Sequence, residues 1–192
     1  WQIDMEQYRL MGKVNCGFRI SPHQRLVGEL IHTKDYLILS NPATDELAFM
    51  SGQELEFIQS LTLQADRRLK DLKGVFPGDM VYDPAKQLLF VAETGLNAIA
   101  EINLSDLSIA GHIPTACHPF KVQHIPSANQ LLIANQMGLG TSKHHDIQAT
   151  LNTVEVPGQT ALEAYSREVI RNNFHFCAPD AIGIESRKAN PL

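Results

Sequence analysis

Apolar residues in this chain fall in short runs bounded by Pro, Gly, Asn and Asp. Leu88–Ala92 is apolar throughout, and Tyr36–Leu39 is another such run. In Ala98–Asn103 the pattern alternates, with Ile99, Glu101 and Asn103 on one side and Ala98, Ala100 and Ile102 on the other. Period-two alternation over so short a length marks a strand with two different faces. An unbroken apolar run of strand length fits a strand buried on both faces, between neighbouring layers. Turn chemistry around Gly95 and Asp106 separates the runs. Two segments depart from the pattern. Thr160–Asn172 is rich in Ala, Glu and Arg and predicts a helix in the place of a final strand. Ala65–Lys73 is a charged insertion that reads as a solvated loop or a short helical turn.

The runs repeat. Phe76–Glu93 reads FPGDMVYDPAKQLLFVAE, and His118–Gln136 reads HPFKVQHIPSANQLLIANQ, about 42 residues later. Aligning Pro77 with Pro119 brings Pro84 onto Pro126, and after one inserted residue Gln87–Phe90 falls on Gln130–Ile133. Asn97–Ile102 is matched by Asn152–Val156, and Asp45–Met50 fills the same role earlier. Pro179–Ile184 and Val14–Pro22 resemble the starts of further copies. A repeat of this length holding four strands is the size of one propeller blade. In the second unit the strands are a (Asp79–Tyr82), b (Leu88–Ala92), c (Ala98–Asn103) and d (Ser108–Ile113).

The stretch LLFVAETGLNAIAEINLSDLSIAGHIP, led by two prolines seven residues apart, resembles the YVTN-type β-propeller repeats of bacterial and archaeal surface or periplasmic proteins. Phe90–Glu93 and Ile133–Gln136 stand for the Tyr-Val-Thr-Asn stretch, and Asn152–Val154 for the Asn-Thr-Val that follows it. The resemblance spans Val14–Ile184 and is strongest over Val75–Gln136. It implies an all-β fold of four-stranded antiparallel blades and, loosely, an extracytoplasmic location. Because the family is broad, it implies little about activity. The expected organisation is an N-terminal segment, 1–13, then blades near 14–62, 75–114 and 117–172, and the start of a further blade at 179–192. Propellers typically close with four to eight blades, so about three blades plus part of a fourth read as an incomplete propeller or a piece of one. Either another protein chain or missing blades would then cover the open edge at 179–192. The chain opens on Trp1, so its native start is expected to lie elsewhere.

Composition narrows the partners. The net charge is −5, which argues against nucleic acid or an anionic membrane as the target. No apolar run has the roughly 18 residues a membrane helix needs. The three cysteines, Cys16, Cys117 and Cys177, are too few for a disulfide scaffold and have no C-x-x-C spacing. A Cys117–Cys177 bridge between adjacent blades and three free thiols both remain open, and so does the compartment.

The places where copies differ carry the candidate chemistry. In a propeller the b–c and d–a loops share one rim. Cys117 and His118 lie in one d–a loop, and His175 and Cys177 in the next. Between Gln136 and Asn152 lie 15 residues where the second unit has three, and they include His144 and His145 followed by Asp146. Imidazole and thiolate groups collected on one rim would suit copper or zinc, so the metal-ligand candidates are Cys117, His118, His144, His145, His175 and Cys177. The plainer reading makes His118–Pro119 the turn into an inner strand, the cysteines small buried residues and the His pair incidental. Glu93 ends strand b at the same rim and is expected to hydrogen-bond within the b–c turn. Asp79, Asp83 and Glu101 are further carboxylates suited to acid–base or calcium roles. No nucleophile elbow, dinucleotide fingerprint or P-loop is present.

Three functions follow in order. The first is a propeller scaffold or binding module of a larger extracytoplasmic protein or complex, engaging a protein partner or small-molecule ligand at the b–c/d–a rim. The second is a copper- or zinc-dependent redox enzyme, or the propeller subunit of one, and the third a lactonase-like hydrolase.

Overall fold

The computed structural model describes residues 2–4, 6, 9–12, 28–66, 68, 73–138 and 148–173. Strands β1 (Gln2–Asp4) and β2 (Arg9–Gly12) pair antiparallel as a two-stranded ribbon. Three larger antiparallel sheets follow in chain order. The first holds β3 (Leu30–His32), β4 (Tyr36–Asn41), β5 (Glu46–Ser51) and β6 (Phe57–Thr62), each hydrogen-bonded to the next. The second holds β7 (Pro77–Asp83), β8 (Leu88–Glu93), β9 (Ala98–Asn103) and β10 (Ser108–Pro114) in the same meander. The third holds β11 (Pro119–Ile125), β12 (Gln130–Asn135) and β13 (Thr150–Glu155), and the chain then enters helix α1 (Gln159–Asn173). Two of the three are therefore complete four-stranded blades; in the third, α1 follows β13 in the chain in place of a strand d and packs on β10 of the second sheet. The fold is all-β and of the propeller-blade type. Val14–Pro22 and Pro179–Ile184, the two further starts read from sequence, lie outside the described residues. The first sheet has Leu30–His32 as its first strand.

The apolar runs are explained by what lies on each side. Along β8, Leu89 and Val91 belong to a core shared with Ile38, Leu47 and Phe49 of the first sheet. Phe90 and Ala92 point the other way, into a core shared with Val122, Leu131 and Ile133 of the third. Successive residues of a strand face opposite ways, so a strand sandwiched between two sheets needs apolar side chains at every position.

Five of the turns follow one rule. Connections 42–45, 84–87, 94–97, 104–107 and 126–129 each have four residues, and each ends on a left-handed residue: Asp45, Gln87, Asn97, Leu107 and Asn129, with φ between 51° and 56°. Four-residue hairpin loops are commonly built around a type I turn, and a left-handed last residue swings the chain into the returning strand.

Register refines the repeat. Pro77 pairs with Glu93 and Pro119 with Asn135, so the offset stays at 42 through both strands and no inserted residue is needed. Glu93 pairs on with Ala98, and Asn135 with Thr150. The structural counterpart of Asn97 is therefore Ala149, and Asn152 corresponds to Ala100 inside the strand. The match of Asn152–Val154 to Asn97–Ile99, drawn on local similarity, is three residues out of register.

Helix α1 packs across β10. Leu162 and Val169 are its buried residues. Gly111 makes the approach close: a Cβ there would stand 2.6 Å from Leu162 Cγ and 2.7 Å from Ser166 Oγ. The Ser166 hydroxyl donates to the Leu162 carbonyl and accepts from the His112 amide at 2.9 Å. At the far end Asn173 Nδ2 donates to the Leu96 carbonyl at 2.8 Å.

Candidate functional site

The rim formed by the 94–97 turn and the 115–118 loop is built by a repeated contact. The left-handed residue ending a b–c turn receives two sets of donors. Asp45 accepts the Leu63 amide on its carbonyl at 2.8 Å, and the Gly74 and Phe76 amides on its carboxylate at 2.7 and 2.9 Å. Asn97 accepts the Thr115 amide on its carbonyl at 2.9 Å and the His118 amide on Oδ1 at 2.8 Å. Each of the first two blades thus ties two points to one residue: the end of its own last strand to the carbonyl, and the entry to the next blade to the side chain. The Gly74, Phe76 and His118 amides are satisfied by these side-chain acceptors, as backbone donors outside a ladder must be.

His118 is explained by the same contact. Its φ is 63°, and Phe76, 42 residues earlier, has φ 51°. Both precede a proline that opens an inner strand, and both adopt the left-handed region that His tolerates better than most side chains. The His118 ring is held through Nδ1 by Gln136 Oε1 at 3.0 Å. Beside it, Cys117 is a half-buried free thiol among the described residues; Cys177, the other half of the bridge considered from sequence, lies outside them. Its amide donates to Gly138 at 2.7 Å, and its carbonyl accepts from Met137 at 3.2 Å. The structure therefore joins Cys117 and His118 to the start of the long b–c connection. His144, His145, His175 and Cys177 lie outside the described residues. Among the described residues no group of three or more His, Cys, Asp or Glu side chains is placed to hold a metal ion.

That connection is the rim's main departure from the repeat. It runs over 14 residues, 136–149, where the second sheet uses four, 94–97. It ends on Ala149, which has no side-chain acceptor, so it cannot make the side-chain half of the tie seen at Asp45 and Asn97. Asn135 and Asn152 form a different contact, Nδ2 to Oδ1 at 2.7 Å, within the third sheet.

Glu93 does something sequence reading did not foresee. Its carboxylate turns away from the b–c turn and into the sheet. Oε2 meets His112 Nδ1 at 2.7 Å, with the two side chains 0% and 3% exposed. The register shows how they reach each other. Glu93 pairs with Ala98, which pairs with Pro114, and Val91 pairs with Ala100, which pairs with His112. All six share one face, and the two alanines on β9 leave the room the pair occupies. Burial works against a charge on His112. The Glu93 carboxylate and a backbone hydrogen bond to Gln64 outweigh it, so the imidazole is held above its ordinary range. Glu93 Oε1 has no hydrogen-bond partner. His112 also forms part of the wall of a cleft of about 460 Å³, bounded by Leu61, Gln64, Asp66, Ser108 and Ser166. The signal was present in the sequence as a Glu and a His set among apolar strand residues on the same face, 19 positions apart.

The opposite face of the second sheet carries further ionisable side chains. Glu101 has Oε2 unpartnered, and burial raises its carboxyl above the usual range, with Lys86 opposing. Asp83 Oδ2 lies 3.7 Å from His124 Nε2, both side chains 4% exposed, and His124 stands against the Phe90 ring. Asp79 bridges the inner strands, accepting the Val122 amide at 2.9 Å and the Lys121 ammonium at 3.1 Å. Its role in the structure is to join blades.

No protein-family model matches the chain, and no curated protein matches it. Solved structures do. One is the hydrazine synthase of Kuenenia stuttgartiensis, with a TM-score of 0.55 at 11% identity, over 75% of this chain and 36% of that one. Another is a protein of unknown function from Bacteroides caccae, with a TM-score of 0.54 at 13% identity, over 70% of this chain and 47% of that one. The chain thus spans between a third and a half of the length of these structures. At such identities the likeness concerns architecture: three consecutive blade-like sheets arranged as in propeller folds.

Proposed function

We propose that this chain is a YVTN-type propeller scaffold and binding module that engages a protein partner or ligand at the b–c/d–a rim of its third blade. The observation that carries this reading is the contrast at that rim. Asp45 and Asn97 make the same tie in consecutive blades, while the third replaces it with Ala149 and a connection of 14 residues, 136–149. Recognition is commonly carried by loops that a rigid scaffold positions, and here the scaffold repeats while one loop departs from it. Cys117, His118 and Gln136 frame the base of that loop through main-chain and side-chain hydrogen bonds.

A photo-crosslinking amino acid placed singly at two ends of the blades tests it. At position 137, on the proposed rim, it is expected to trap the partner from extracts of the source cells. At position 106, in the 104–107 turn at the opposite end, it is expected to trap nothing specific. Equal trapping at both positions would sink the reading.

A further inference from the structure

The third sheet leaves one face uncovered among the described residues, and the second sheet shows what such a face is for. By register, Leu132, Ala134 and Leu151 occupy the positions of Phe90, Ala92 and Ile99. In the second sheet these three side chains are buried at 0% exposure against the third sheet. In the third, Leu151 is 66% exposed and Leu132 and Ala134 are half-buried. Together with Asp79, Lys121 and Gln123 they line an open groove of about 550 Å³. The groove runs beside β11, as β11 itself runs beside β7.

The remaining chain has the matching pattern. Pro179–Glu185 reads PDAIGIE, and its proline aligns with Pro77 and Pro119. Val122, three residues after its proline, is the β11 side chain buried against the second sheet. The same position after Pro179 is Ile182, and in a strand Ile184 would share its face. Ala181 and Gly183 alternate with them. The path is long enough. Asn173 is anchored to Leu96 on the rim from which inner strands start. Six residue steps from Asn173 to Pro179 reach about 20 Å, roughly two sheet-to-sheet spacings.

We propose that residues 174–192 dock on this open face as the inner strand of a further blade, with Ile182 and Ile184 turned into the Leu132–Ala134–Leu151 groove. The repeat supplies both halves of the contact: an uncovered copy of a face that is covered one blade earlier, and a copy of the strand that covers it.

Thiol accessibility on the full chain tests the proposal. With Cys16, Cys117 and Cys177 changed to Ser, single cysteines are placed at Ala181, Ile182, Gly183 and Ile184 and labelled with a maleimide. The expected result is alternation, with Ile182→Cys and Ile184→Cys labelled at least about tenfold more slowly than Ala181→Cys and Gly183→Cys. Adding Leu132→Arg is expected to remove the protection at 182 and 184. Uniform labelling of all four positions overturns the proposal, and that readout needs no change to the groove. Protection unaffected by Leu132→Arg overturns it too. Protection that grows with chain concentration identifies a second copy as the occupant, which is equally fatal.

Discussion

Removing the Glu93–His112 pair in halves should separate its charge from its packing. In the fold both side chains are out of water, 2.7 Å apart, with Glu93 Oε1 already lacking a partner. His112→Leu leaves a buried carboxylate with nothing to compensate it, and losses of that kind are about 3–5 kcal/mol. Glu93→Gln removes the negative charge while retaining an acceptor for Nδ1–H, so its cost should be smaller. The pH dependence is the sharper readout. The His112 imidazole is held above its ordinary range in the fold, so the proton is bound more tightly folded than unfolded. The contribution is complete below the ordinary imidazole value, about 6.5, and is lost as pH rises through the higher folded value. Urea unfolding of wild type and Glu93→Gln from about pH 6 to about pH 9 checks this, with the midpoint as readout and the slope as control. The stability gap between the two proteins should shrink steadily with rising pH. A gap that stays constant, or widens, would refute the assignment of His112 as the charged partner.

Other consequences follow from the same contacts. Asn97→Gly keeps the left-handed turn and loses only the tie to the His118 amide, about 1 kcal/mol; Asn97→Ala adds roughly 1–2 kcal/mol for its backbone, so the reverse order in unfolding midpoints would count against the tie. Gly111→Ala drives a methyl into Leu162 and Ser166 and should cost about 1–3 kcal/mol, seen as a lower thermal midpoint and a weaker helical circular dichroism signal. Glu101→Gln relieves a carboxyl whose charge is disfavoured by burial, so it should raise stability at neutral pH, and the gain should vanish in acid where Glu101 is already protonated. An unchanged gain in acid would show that the effect is not electrostatic.

Much of the scaffold was legible because strand parity is a local property. The unbroken run Leu88–Ala92 announced a strand with a sheet on each side, and the alternation in Ala98–Asn103 placed Glu101 opposite Ala100. The composition of Thr160–Asn172 correctly indicated α1. What failed was register across the long 136–149 connection. Asn152–Val154 resembles Asn97–Ile99 more than Thr150 resembles Ala98, and only the ladder from Asn135 to Thr150 decides between them. A loop of variable length transmits no register, so similarity alone can slip. His118 drew attention for its imidazole, although its backbone φ is what the position demands. Glu93 and His112 were missed as a pair because their contact crosses an intervening strand and depends on the small volumes of Ala98 and Ala100.

The central claim is that the blades are a stable scaffold and that connection 136–149 carries recognition. Replacing 136–149 with Thr-Gly-Leu-Asn, the turn of the second sheet, restores the missing asparagine acceptor and deletes the insertion in one step. The partner trapped at position 137 in the intact chain supplies the ligand for a titration against both proteins. A thermal midpoint equal to or above that of the wild type, together with loss of binding, is the predicted result; full binding by the shortened chain would contradict the account.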